Sequence, residues 1–236
     1  MSKKYVLVVD SGIGGLFTLN KIKELLPNEN YLYFMDAVNS PYGNKSKKKL
    51  LKITEQNFIK LFRFFDIKAV VLACNTLSSV CYDYLIQKYF NVPFIKIEPC
   101  VGTKYLSYGN TLVLATKSTL KNNKDLKQFH QYKNIYFKGF GNLAKKIDGC
   151  KGNYNLLQAY IFKKLKKFRS KNIKNIVLGC THFNFIINQI ESVFDCEINF
   201  FEGSEIVAKK TYNVLKYSSK KRRSKKCGET LIIKKI

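Results

Sequence analysis

Two cysteines stand in matching surroundings. Residues 67–76 read Ile-Lys-Ala-Val-Val-Leu-Ala-Cys-Asn-Thr, and residues 173–182, 106 positions later, read Ile-Lys-Asn-Ile-Val-Leu-Gly-Cys-Thr-His. Five of the ten positions are identical, the cysteine among them, and three more are conservative changes. Each run is an apolar, β-branched strand pattern that ends in a thiol, Cys74 or Cys180, and leads toward a helix. Ligands of open α/β sheets sit at the carboxyl ends of strands, so both thiols belong in such crevices. If two lobes faced each other across a pseudo-twofold axis, the thiols would approach one ligand from opposite sides. That arrangement suits taking a proton from one face of a carbon acid and returning one on the other. One thiol must ionise for this, and a helix N-terminus with polar donors can pull its pKa toward neutrality. The carbanion also needs oriented N–H and hydroxyl donors around it.

Two loops can supply those donors. Asp10-Ser11-Gly12-Ile13-Gly14-Gly15 follows an apolar run and opens a helical pattern, an anion-binding arrangement. It also fits part of a dinucleotide fingerprint, with Gly12, Gly14 and Asp36 as a ribose contact, but position 17 is Phe where a third glycine belongs. The second loop, residues 36–45, holds Ser40-Pro41-Tyr42-Gly43, a turn able to bring a tyrosine and free backbone amides to the same crevice.

Taken in order, Asp10-Ser11-Gly12-Ile13-Gly14-Gly15-Leu16, Pro41-Tyr42-Gly43, Cys74-Asn75-Thr76 and Gly179-Cys180-Thr181-His182 resemble the glutamate racemases of the aspartate/glutamate racemase superfamily. Leu114-Ala-Thr-Lys-Ser-Thr-Leu120 is similar to a further family segment, and the likeness runs over residues 5–210. The resemblance implies cofactor-independent racemisation of L- and D-glutamate in a site between two lobes, with glutamate as the small-molecule partner. It also implies a supply of D-glutamate for peptidoglycan precursors, and hence a part in cell-wall biogenesis and cell shape. Cys74 and Cys180 would carry the protons, with Asp10 and His182 assisting them. Asp10, Ser11, Tyr42, Gly43, Asn75, Thr76, Thr181 and His182 would hold the substrate. No metal enters this scheme. The chain departs from the family pattern at Asp148, where a glutamate is usual, and around Phe140-Gly141, which lacks a Cys-Pro pair. A racemase of another acid such as aspartate, and a basic polyanion binder on the same scaffold, stay open beside this reading, as does a homodimer.

These residues need elements to position them. Strand patterns fall at residues 5–9, 31–35, 69–73, 94–97, 111–115, 135–137 and 176–178, and a strand is also expected near 230–233. Helical patterns fall between them at 16–26, 46–65, 78–89, 154–169, 183–194 and 205–217, with Ser46 as an N-cap. Continuous apolar strands alternating with helices predict parallel sheets. The 106-residue offset also carries 5–9 onto 111–115, so the expected fold is two similar doubly wound α/β lobes related by a pseudo-twofold axis. The first lobe is expected over 1–97 plus 208–236, ending in a basic tail, and the second over 98–207.

Composition narrows the remaining classes. The chain has 236 residues and no long uninterrupted apolar stretch, and its first apolar run is broken at once by Asp10, so neither a membrane span nor a signal peptide is expected. A cytoplasmic location is expected. Seven scattered cysteines without a C-x-x-C pair, and only two histidines, give no support to a zinc site or a disulfide framework. Lys and Arg number 42 against 16 Asp and Glu, a net charge of +26, yet only four of the 42 are arginine. Phosphate recognition favours arginine's bidentate fork, so the lysines read as a solvated coat with nonspecific nucleic-acid contact. The densest run is Lys220-Lys221-Arg222-Arg223-Ser224-Lys225-Lys226.

Overall fold

A row of valines and leucines sets the centre of the first sheet. In the computed structural model, which describes residues 3–102, 109–218 and 227–235, strand β1 (Lys4–Asp10) runs between β2 (Asn30–Met35) and β3 (Asp66–Leu72). Strand β4 (Phe94–Lys96) lies outside β3, and β9 (Thr230–Lys234), from the end of the chain, lies outside β2. The second sheet has the order β6 (Ile135–Phe140), β5 (Asn110–Thr116), β7 (Ile173–Gly179), β8 (Asn199–Glu202). Every strand pairing is parallel.

Both faces of each sheet are covered, which is why the strands are apolar throughout rather than alternating. Leu7 and Val9 point into one cluster with residues of α2 (Lys47–Phe64) and α3 (Asn75–Lys88). Val6 and Val8 point the other way, onto α1 (Leu16–Leu25) and α9 (Ser204–Ser218). In the second sheet Leu112 and Leu114 meet α6 (Leu143–Gly149), α7 (Gln158–Leu165) and α8 (Ile187–Glu191). Val113 and Val177 meet the opposite side, near Leu126 of α5 (Lys124–Lys127). The short helix α4 (Lys117–Asn122) follows β5 and packs on α3 of the other lobe. Ser46 caps α2 as expected, its hydroxyl accepting from the Lys49 amide.

The internal repeat is real in three dimensions. Read from the outer strand inward, β4-β3-β1-β2 matches β8-β7-β5-β6. The β1–β3 and β5–β7 pairings even share one irregularity, a register shift between Tyr5 and Val6 and again between Asn110 and Thr111. The offset of 106 holds for the cysteine strands, where Leu72 and Leu178 are equivalent, but slips to 105 for their partners Val9 and Leu114. Among the described residues strand β9 has no counterpart in the second sheet.

Several boundaries differ from expectation. Helix α3 begins at Asn75, directly behind Cys74, rather than at 78. The pattern at 154–169 is broken into a 3-10 turn at Tyr154–Leu157, α7, and a second 3-10 turn at Lys166–Lys171 that ends on left-handed Asn172 (φ 45°). The pattern at 183–194 becomes a 3-10 turn at Thr181–Ile186 followed by the short α8. Cys180 therefore faces a 3-10 turn, not an α-helix. The basic run 220–226 lies outside the described residues.

Candidate active site

Asp10 is the last residue of β1 and Cys74 the second beyond β3, so the sheet places them near each other at its carboxyl edge. Cys180, 106 residues on, stands at the equivalent place, directly after β7. Asp10 is fully buried and reaches across the lobes, its Oδ2 accepting from the Thr181 hydroxyl at 3.0 Å. Its Oδ1 accepts from the Ser11 amide at 2.7 Å, and the Ser11 hydroxyl lies 3.9 Å from the Cys74 sulfur. The Cys180 thiol neighbours the His182 ring. Cys74, Cys180 and His182 are 6%, 7% and 2% exposed, so the lobes are closed over the group. A cavity of about 250 Å³ reaches Ser11, Ser40, Asp148 and Lys234 but stops short of both thiols.

The glycines of the first loop are explained by that closure. A Cβ on Gly12 would sit 2.5 Å from His182 Nε2, and one on Gly14 would sit 2.6 Å from Thr181 Oγ1. Only glycine lets this loop of one lobe lie against the Cys-Thr-His segment of the other. Gly43 is constrained in the same way by Thr116, since an added Cβ would lie 2.9 Å from the Thr116 side chain. The Thr76 hydroxyl in turn meets Thr116 at 3.0 Å and Thr119 at 3.3 Å, a chain of hydroxyls between the lobes. Sequence reading gave Thr116 and Thr119 no role, although they fall in the 114–120 segment singled out there. Buried Asn75 Oδ1, Ser40 Oγ and His182 Nε2 have no hydrogen-bond partner, and groups of this kind are what a bound polar ligand would satisfy.

Asp36 and Tyr42 do something other than expected. Asp36 is fully buried and accepts from Asn39 at 2.9 Å, from the Tyr42 hydroxyl at 2.8 Å and from Asn57 at 2.8 Å. Lys235 Nζ, delivered by the end of β9, lies 3.9 Å away and donates to Asn57 at 2.7 Å. The carboxylate is spent on anchoring the 36–44 loop and has no free edge for a ribose, which removes the dinucleotide reading. The Tyr42 hydroxyl points into this anchor rather than into the crevice.

No family model matches the chain. Curated relatives do: a glutamate racemase of Clostridium botulinum (strain Alaska E43 / Type E3) is 36% identical over 199 residues, which is 82% of this chain and 77% of that protein. A glutamate racemase of Clostridium perfringens (strain ATCC 13124) is 32% identical over 232 residues, 93% of this chain and 86% of the relative. The chain belongs to the glutamate racemases. It is thus a member of an isomerase family, and the crystal structure of the glutamate racemase from Francisella tularensis subsp. tularensis SCHU S4, in complex with D-glutamate, superposes with a TM-score of 0.81. That structure is 27% identical, and the match covers 99% of this chain and 89% of that one. Among the described residues no helix is long and apolar enough to cross a membrane.

The electrostatics of this racemase-family site depart from the expected lowering of a thiol pKa. Burial, then the negative charge of Asp10, pushes Cys74 well above the usual thiol range, and the Leu77 amide at the start of α3 offsets only part of this. Asp10 is itself raised by burial, against the opposing pull of His182 and of hydrogen bonds from Ser11, Thr181 and Cys74. Burial would push His182 down, but Asp148, the Cys180 sulfur and Asp10 together outweigh it and raise His182 well above the ordinary imidazole value. Asp148, one methylene shorter than the glutamate usual in the family, still brings Oδ1 to 3.3 Å from Nε2. It is near enough for a charge interaction, though not aligned as a hydrogen bond.

Proposed function

We propose that this chain racemises L- and D-glutamate without a cofactor, in the cytoplasm, supplying D-glutamate for peptidoglycan precursors. The observation that carries this reading is the pairing of each cysteine with its own proton partner at equivalent strand ends. Cys74 has Asp10, Cys180 has His182, and the Asp10–Thr181 bond ties the two halves together. One sulfur, as thiolate, takes the α-proton from one face of the substrate, and the other, as thiol, gives a proton to the opposite face. Bonds balance: one S–H forms, one breaks, and the enzyme is left in the mirror charge state. Cys74 starts as the thiol, since its burial beside Asp10 disfavours the anion, and its proton goes to the carbanion, with Asp10 as the neighbouring carboxyl group that assists the transfer. His182, protonated, sets a positive charge beside the Cys180 sulfur. Ser11, Gly43, Asn75, Thr76 and Thr181 hold the carboxylates and ammonium, with Tyr42 acting through the loop it anchors. The lobes, taken as 1–97 with 208–236 and as 98–207, part to admit substrate and close to exclude water.

The preference for glutamate draws on the curated relatives' names and on the D-glutamate bound to the Francisella protein. The test is incubation of the purified protein with D-glutamate in deuterium oxide, with nothing else added. Loss of optical activity together with solvent deuterium at the α-carbon is expected. Deuterium uptake with aspartate alone would move the substrate to the shorter acid, and no exchange with either would end the racemase reading.

A further inference from the structure

Strand β9 stands outside the internal repeat, and its far end runs into the anchor of the 36–44 loop. The Lys235 amide donates to the Met35 carbonyl at 2.9 Å, and the Lys235 carbonyl accepts from the Val38 amide at 3.3 Å. Side chains alternate along a strand, so neighbouring lysines part company. Lys234 borders the cavity that reaches Ser11 and Ser40, whereas Lys235 turns toward Asn57 of α2. Its half-buried ammonium donates to Asn57 Oδ1 at 2.7 Å, while Asn57 Nδ2 donates to Asp36 Oδ2 at 2.8 Å. The buried Asn57 amide thus has one end committed to a cation and the other to an anion. A buried carboxylate needs both hydrogen bonds and a counter-charge. Asn39, Tyr42 and Asn57 give Asp36 the hydrogen bonds. Lys235, 3.9 Å away, is the one cation within ion-pair distance of it among the described residues. Without that charge only neutral donors would compensate Asp36, and opening the loop to water would become the easier way to solvate it.

The consequence reaches the cleft. Beyond Asp36 the chain passes Ser40, whose buried Oγ has no hydrogen-bond partner among the described residues, to Gly43, which lies against Thr116 of the other lobe. Tyr42 ties that stretch to Asp36, so the placement of Ser40 and of the Gly43 amide depends on how firmly Asp36 holds its donors. The thiols follow β3 and β7 and do not depend on it. We infer that Lys235 is a positioning residue for substrate binding, fixing through Asn57 and Asp36 the loop that carries Ser40 and Gly43. The inference rests on the glutamate racemase reading of the cleft. Because the reacting sulfurs stand on other elements, loss of the Lys235 charge acts on binding and leaves the proton transfers nearly intact.

Two readouts on the intact protein test this: steady-state kinetics with D-glutamate, and hydrogen exchange of backbone amides with no substrate present. Lys235→Met keeps the apolar stem and the backbone bonds of β9 but removes the charge. It should raise KM about tenfold with kcat within about twofold, the pattern of lost binding rather than lost chemistry. Amides in residues 36–45 should exchange about tenfold faster, while those of β1 and β7 keep parental protection. Lys235→Arg restores a cation and a donor, so it should recover most of both values. Parental exchange of residues 36–45 in Lys235→Met would overturn the proposal. So would faster exchange with an unchanged KM, a loss confined to kcat, or a rise spread along β2 and β9, which would make Lys235 a clamp on the strand instead. An arginine variant as impaired as the methionine one would also overturn it, since charge would then not be what matters. Exchange needs no turnover. A parent protein inert toward glutamate would end the racemase reading, and exchange of residues 36–45 would still decide whether Lys235 holds the loop.

Discussion

Cys74 and Cys180 differ from the other buried cysteines, Cys81 and Cys150, in company rather than in burial. Cys81 is as deeply buried, yet its neighbours are Thr54 and apolar side chains, and burial raises its pKa to about 11. Replacing Cys74 or Cys180 by serine should lower turnover by several orders of magnitude, because a hydroxyl is a far weaker acid than a thiol. The thermal midpoint should barely move, since serine is nearly isosteric, and full activity in either variant would rule out a two-base reaction. Asp10 poses the opposite balance. Its folded pKa is raised above the ordinary 3.8 by burial, so its contribution to stability is present at low pH and lost as pH rises through the folded value. At neutral pH a charged Asp10 is therefore a cost to the fold, retained for what it does beside Cys74. Asp10→Asn should melt at or above the parent temperature at pH 7, and this advantage should vanish as pH falls below 4. Its racemase rate should drop by about two orders of magnitude. An Asn variant that melted lower at pH 7 would show that the accepted hydrogen bonds outweigh the buried charge.

The elements that carry the site were legible where local pattern and long-range packing agree. The apolar runs around β1, β3 and β7 name themselves, because strands buried on both faces have no choice of side chain, and the two cysteine strands betray the internal repeat. What was not legible depends on pairings distant in sequence. Lys235 is brought to Asp36 only because β9 pairs with β2, and Thr116 meets Thr76 only because the lobes touch. The first loop shows the difference most clearly. Its glycines suggested an anion cradle or a dinucleotide turn, whereas His182 and Thr181 of the other lobe fill the space a Cβ would need. Gly12→Ala should consequently force His182 aside or hold the lobes apart. We expect a kcat loss of about tenfold or more, of the kind a small misplacement of catalytic groups produces, with little change in the melting of an enzyme whose sheets are untouched. A variant with parental kinetics would mean that the loop yields and the close approach is incidental.

At the scale of the whole molecule the net charge of +26 is the feature most open to misreading. A protein so basic will bind DNA at low salt whether or not that serves a function, so detection of a complex decides nothing. Binding through a lysine coat rests on release of condensed counterions, and it falls steeply and without regard to sequence as salt rises. A site that reads bases would keep a preference after that fall. The run at 220–226 is the densest charge, follows α9 in the sequence and contains none of the residues assigned to the cleft. Truncation there would also remove β9 and with it the Lys235 contact to the Asp36 anchor, so deletion confounds two effects. Changing Lys220, Lys221, Arg222, Arg223, Lys225 and Lys226 to glutamine keeps the strand and removes the charge. This variant should lose most low-salt DNA affinity, show no sequence preference before or after, and racemise glutamate at the parental rate. A tight, sequence-selective complex that survived the six changes, in a protein that turned over no glutamate, would make nucleic-acid binding the function and the racemase site a relic.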